Sequence, residues 1–214
     1  MAERVARTRS DAARNQRLLM DAAARTFAVA GLDVPVSQIV DAAGLGKGTA
    51  FRCFATKGDL VAAIVRERLD ALAAQARGLV TGDPGAVVFE FVRLWSGALA
   101  EDRGLREAMD GPAPGSAGVW EGYRALVDAV EALVGRARAA GAVRADVSAA
   151  DLLLLVAAAV HAAVPLSGVD PAFRDRFVGL VCDGLRSGPP GTPARPAPTR
   201  EELAKVWTGS ERSR

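Results

Sequence analysis

The chain has 214 residues, 50% hydrophobic and 24% charged, with a formal net charge of +2. That is a globular composition, long enough to bury a core. Forty-four alanines against seven Phe, three Trp and one Tyr bias it towards helix. One histidine, His161, and two cysteines, Cys53 and Cys182, exclude the usual His/Cys zinc sites and a disulfide framework, so neither a metal nor a cofactor is expected.

The N-terminus is Arg-rich and polar, without the apolar stretch of a secretory signal. The longest apolar run, residues 152–166, contains His161 and Pro165 and reads as a buried helix too short to span a bilayer. A soluble, cytoplasmic protein without a membrane partner is expected. Charge is uneven along the chain. Residues 1–60 carry nine basic and six acidic side chains (+3), and the remainder 18 and 19 (−1). A basic N-terminal quarter is either the footprint of a nucleic-acid-binding head or a solvated, frayed terminus.

In chain order, Leu18, Leu19, Ala22, Ala23, Thr26, Phe27 and Ala30 repeat at helical spacing, predicting an amphipathic helix over 11–30 that stops at Gly31. Residues 2–10 read as a mobile arm. Pro35 suits the first turn of a short helix burying Val36, Ile39, Val40 and Ala43 and stopping at Gly44. A turn of about four residues follows, then a third short helix over 47–54. Thr56 and Asp59 form a capping-box-like start to a long helix through Leu60, Ile64, Leu69 and Ala76. Gly and Pro at 82–85 break the chain. Helices follow over 85–100, 104–109 and 119–140, with a Gly/Pro loop over 111–116. Ser148 caps a helix over 149–164, and Asp170–Pro171 start the last main one, on which Phe173, Phe177, Leu180 and Cys182 share the inward period. A Pro-rich linker then leads to a short C-terminal helix around Leu203, Val206 and Trp207. No strand and no repeat is evident. The chain reads as all-α with about nine main helices.

The informative stretch is residues 36–60, VSQIVDAAGLGKGTAFRCFATKGDL. Two short helices separated by a Gly-containing turn and flanked by longer helices are helix-turn-helix geometry. Such a unit presents the start of its second helix to the major groove, here Lys47, Gly48 and Thr49. Small residues allow close approach, while Lys and Thr offer donors to bases or phosphates. Phe51 and Phe54 lie three positions apart and at least one belongs to the core, with Phe54 and Phe27 assigned there. Lys57 opens the next helix, where the dipole already favours phosphate.

These residues carry a resemblance. Residues 12–70 resemble the DNA-binding domain of the TetR (tetracycline-repressor) family of transcriptional regulators. The matching features are Ala43-Gly44-Leu45 in the turn, Lys47-Gly48-Thr49, the aromatic Phe51, Phe54 three places later, and the Thr56-Lys57 pair. The resemblance implies a three-helix head followed by a C-terminal helical ligand-binding and dimerisation domain. It implies a homodimer on a palindromic double-stranded DNA operator, with repression relieved when an unknown small-molecule effector changes the spacing of the recognition helices. Lys47, Gly48, Thr49, Phe51, Arg52 and Lys57 take the DNA-contacting positions. Phe51 stands where the family usually has Tyr, removing a hydroxyl-to-phosphate contact, and Cys53 stands where a polar residue is common. Residues 136–160 are also similar to an actinobacterial subgroup of the family. The domain division that follows is 1–59 for the arm and head, 60–188 for the ligand and dimer domain, and 189–214 for the linker and terminal helix.

Several residues admit two readings. Cys53 is either a redox sensor beside Arg52 or a small filler. His161 is either a ligand or pH-sensitive group or a satisfied core or interface residue. Phe91, Trp95, Met109, Trp120 and Tyr123, with His161, either line an apolar ligand pocket or pack the core. The two last helices, apolar nearly all round, form either a four-helix bundle between subunits or an intrachain core. Two rival functions stand beside a regulator. A helical enzyme would use His161 with Asp151 or Ser167, but Asp151 and His161 lie about 15 Å apart along one helix. The other rival is a dimeric small-molecule binding protein with a decayed DNA-binding head.

Overall fold

The computed structural model describes residues 2–110 and 116–188, with side chains over 11–109 and 118–188. Nine α-helices are present among the described residues: α1 (Ala2–Ala30), α2 (Val36–Ala42), α3 (Lys47–Cys53), α4 (Lys57–Leu79), α5 (Pro84–Glu101), α6 (Arg103–Asp110), α7 (Ser116–Ala139), α8 (Ala149–Ala163) and α9 (Ala172–Leu185). A single 3-10 turn, Val164–Leu166, follows α8. There is no strand among them, only an isolated antiparallel bridge between Val143 and Arg186. The linker and terminal helix expected over 189–214 lie outside the described residues, as does the loop over 111–115.

The described residues fold into two compact units, 2–71 with 101–110 and 116–125, and 72–100 with 126–188. In the first, α1 packs on α2, α3 and α6. Its core holds Leu19, Ala23, Phe27, Ile39, Val40, Ala50, Leu60, Ile64 and Leu69, all buried. Two glycines end helices by adopting positive φ, which a side chain disfavours. Gly31 (φ 82°) closes α1. Gly44 (φ 64°) closes α2, where the Leu45 N–H reaches back to the Val40 carbonyl at 3.2 Å. The Thr56 box is formed as expected. The Thr56 hydroxyl accepts from the Asp59 N–H at 3.1 Å, and the Thr56 N–H donates to the Asp59 carboxylate at 3.0 Å.

Helix α6 is fastened to the end of α1. The Leu32 N–H donates to Glu107 Oε2 at 2.7 Å, and Arg103 Nε donates to Glu107 Oε1 at 2.6 Å. Gly104 lies so close that a Cβ there would stand 2.8 Å from Phe27 Cβ. Burial pushes the Glu107 carboxyl up. The Leu32 N–H and the Arg103 guanidinium outweigh it and hold the group below its ordinary value. At the other end of α6, Asp102 caps the Leu105 N–H at 2.9 Å and takes Arg68 of α4 at 3.2 Å.

The second unit is built on α5 and α8. Phe91 and Trp95 of α5 are fully buried, and the Trp95 indole N–H donates to the Leu153 carbonyl at 3.1 Å. Ser148 caps α8 reciprocally with Asp151 as the sequence predicts. Glu131 of α7 accepts the Ala149 N–H at 2.9 Å and pairs with Arg138, whose other branch donates to the Val147 carbonyl at 3.1 Å. Helix α9 packs along α8 and buries Phe173, Val178 and Leu185.

Four expectations are corrected. The arm over 2–10 is helical and continuous with α1, because it contains neither Gly nor Pro and five of its nine residues are Ala or Arg, which have good helix propensity. The run over 149–166 is a helical stretch of 18 residues, so it is long and apolar enough to cross a membrane by length and composition alone. The earlier residues 149–151, which include the capping Asp151, supply the extra length. Leu180 points outwards and Cys182 is only partly buried. On a short helix apolar on most sides, the period carries too little contrast to select the inward face. Of the readings of His161 only the core one falls, since its side chain is exposed on α8.

Candidate nucleic-acid interface

The turn over 43–46 separates α2 from α3, and both pack on α1. Helix α3 is anchored by Ala50, buried against the head, with Thr49 and Cys53 partly covered. The opposite side is open. Lys47, Gly48, Phe51 and Arg52 are all exposed, and Phe51 shows 60% of its surface. At 3.6 residues per turn these four positions share an arc of about 140°. Arg52 Nη2 donates to Thr49 Oγ1 at 3.1 Å, which holds the guanidinium along the helix. Gly48 is required by neither conformation nor packing. Its φ is not positive, and a Cβ built there meets nothing within 4 Å. Lys57, first residue of α4, is partly covered and follows the Thr56 box directly.

The sequence-predicted positions therefore divide cleanly. Lys47, Gly48, Phe51 and Arg52 share one exposed face of α3, Thr49 lies at its border, and Lys57 opens the following helix. Phe27 is core, Phe54 is only partly buried, and Phe51 is the outward member of the Phe pair. Cys53 is partly buried at the C-terminal end of α3.

The residues considered for a ligand pocket fall in different units. Phe91 and Trp95 are core of the second, where His161 is exposed on α8. Met109, Trp120 and Tyr123 belong to the first. There Trp120 is 59% exposed and stacks on Tyr123, the ring centroids 6.0 Å apart. Burial raises the Tyr123 hydroxyl above its ordinary value. Of the enzymatic candidates, Asp151 is committed to its cap. Its carboxylate accepts from the Ser148 hydroxyl at 2.7 Å and N–H at 2.9 Å, contacts that lower its pKa. Sequence reasoning missed Glu107, because its partner, the Leu32 N–H, lies 75 positions away and a backbone donor leaves no residue-type signature.

A helix held at its back by the head and lined outside with cations belongs to an all-α DNA-binding transcriptional regulator of the helix-turn-helix class. Comparison with known proteins agrees. The family model for bacterial regulatory proteins of the tetR family matches residues 19–64, and that for the C-terminal domain of SbtR-like transcriptional regulators matches residues 83–187. A TetR transcription regulatory protein from Mycobacterium vanbaalenii is 33% identical over 84% of this chain and 99% of its own, with a TM-score of 0.57. A TetR transcriptional regulator from Streptomyces coelicolor is 27% identical over 80% of this chain and 98% of its own, with a TM-score of 0.60. SmeT, the repressor of the Stenotrophomonas maltophilia multidrug efflux pump SmeDEF, shares the fold at 24% identity, 86% and 97% coverage and a TM-score of 0.57. No curated protein matches the sequence. The chain belongs to the TetR family of transcriptional regulators.

Proposed function

We propose that this protein is a cytoplasmic, homodimeric repressor that binds a palindromic operator through paired α3 helices and leaves it when a small molecule occupies the C-terminal helical domain. The observation that carries this reading is the exposed face of α3, where Lys47, Phe51 and Arg52 surround Gly48. Lys47, Thr49 and Arg52 supply donors to base edges and phosphates, and Lys57 supplies a phosphate contact at the start of α4. In this reading residues 1–59 recognise DNA and 60–188 take the ligand and the second subunit.

Dimerisation is supported by the outer surface of α8, the turn after it and α9. Leu154, Leu155, Val164 and Leu180 are exposed there. An aliphatic face of this kind is costly in water and self-complementary under two-fold symmetry. For the effector, Trp120 and Tyr123 of the first unit are the residues in play. The open Trp120–Tyr123 stack suits a flat, largely apolar molecule. Repression is the mode that SmeT exemplifies in a protein of the same fold.

Footprinting on the DNA upstream of the protein's own gene tests this reading. Protection of a palindrome, lost on raising salt, is the expected result. Failure to bind any DNA in a salt-sensitive way overturns it and favours the small-molecule binding protein with a decayed head.

A further inference from the structure

Phe51 leaves 60% of a large apolar side chain exposed, and Lys47 and Arg52 flank it. Its phenyl ring has no donor and no acceptor. It cannot read a phosphate or the hydrogen-bonding edge of a base. In the major groove only one group distinguishes a base pair by apolar contact, the C5-methyl of thymine. Beside the ring, Gly48 leaves a gap that the chain's own packing does not require. Its φ is unexceptional, and a Cβ at that position would touch nothing within 4 Å. Arg52 is turned onto Thr49 at 3.1 Å, which holds the guanidinium along the helix.

We propose that Phe51 is a specificity-determining residue that packs on the methyl group of a thymine in each half-site, with the bare Gly48 surface admitting the neighbouring base edge. This deepens, and rests on, the reading of α3 as the DNA-contacting helix. It converts the loss of a phenolic hydroxyl from a weakened phosphate contact into a different kind of contact, one that reads sequence.

The test uses the full-length protein. Duplexes are enriched from a randomised pool, and each thymine of the enriched site is replaced in turn by deoxyuridine, which removes only the methyl group. The wild-type protein is expected to lose about fourfold in affinity per half-site at one symmetry-related thymine, the value of one buried methyl. Phe51→Ala is expected to bind the thymine and deoxyuridine duplexes equally, and Phe51→Leu, which keeps an apolar tip, to retain part of the difference. Enrichment of a site at which every deoxyuridine substitution is neutral overturns this inference and leaves DNA binding standing. So does a deoxyuridine penalty that persists unchanged in Phe51→Ala. Failure to enrich any duplex overturns the underlying reading of α3 instead.

Discussion

Among the surfaces of this protein that expose large apolar side chains, two differ in their neighbours. On α3, Phe51 stands between Lys47 and Arg52. On α8, the 3-10 turn after it and α9, Leu154, Leu155, Val164 and Leu180 are exposed, and residues 152–160 carry no charge at all. A lone ring among cations suits a charged polymer that offers occasional apolar groups. A largely uncharged aliphatic surface suits another copy of itself. Exposure alone does not tell the two apart, but the surrounding charge does. The contrast sharpens within a single helix, because Leu153 is buried to 1% and its neighbour Leu154 is exposed to 62%.

The largest effect should come from breaking the aliphatic face. Leu155→Asp is expected to make the protein monomeric in sedimentation and to lower affinity for a palindromic site by roughly 10²–10⁴, since each half-site then binds alone. A variant that stays dimeric would remove the proposed role of that face. Next in size is the pair Leu153→Ala and Leu154→Ala, compared by denaturant unfolding in the Leu155→Asp background. The first should cost about 2–5 kcal/mol and the second within about 0.5 kcal/mol. Equal costs would contradict the opposed orientations of the two leucines. On the cationic side, Lys57→Ala should weaken binding uniformly across sequences and make the salt dependence shallower by about one contact per chain. A sequence-dependent loss would move Lys57 from phosphate to base.

The smallest effect concerns the first unit alone. Glu107 is held below its ordinary value of 4.5 by the Leu32 N–H and Arg103 against the cost of burial. A depressed carboxyl adds stability above its unfolded value, and that stability is lost as pH falls through the folded one. The midpoint of unfolding should therefore drop in acid below pH 4.5, and Glu107→Gln should flatten that drop while lowering stability at neutral pH. An unchanged acid limb in Glu107→Gln would show that the contact with Leu32 contributes nothing.

Most of the helical order was legible because its punctuation is local. Gly31 and Gly44 close helices with positive φ, and Thr56 and Ser148 open them with reciprocal caps, each within a few residues. The α3 positions were legible for the same reason, since turn, lysine and aromatic lie within one short segment. What escaped depends on contacts with no local mark. The N-terminal extension of α1 has no stop signal to betray where it begins. The outward turn of Leu180 and the exposure of His161 could not be read from helices apolar on nearly every side. The same lack of contrast left Phe91 and Trp95 open to a pocket reading, and the structure makes both of them core. The Glu107 contact joins a side chain to a backbone N–H far away in sequence.

In the proposed reading α3 gives a pair of chains salt-sensitive, sequence-selective hold on DNA. The most direct measurement is a titration of the duplex upstream of the protein's own gene with full-length protein at several salt concentrations, with stoichiometry taken from sedimentation. The expected result is two chains per palindrome, with the logarithm of affinity falling linearly with the logarithm of salt. Affinity indifferent to salt, or equal for the upstream duplex and a scrambled one, would contradict it.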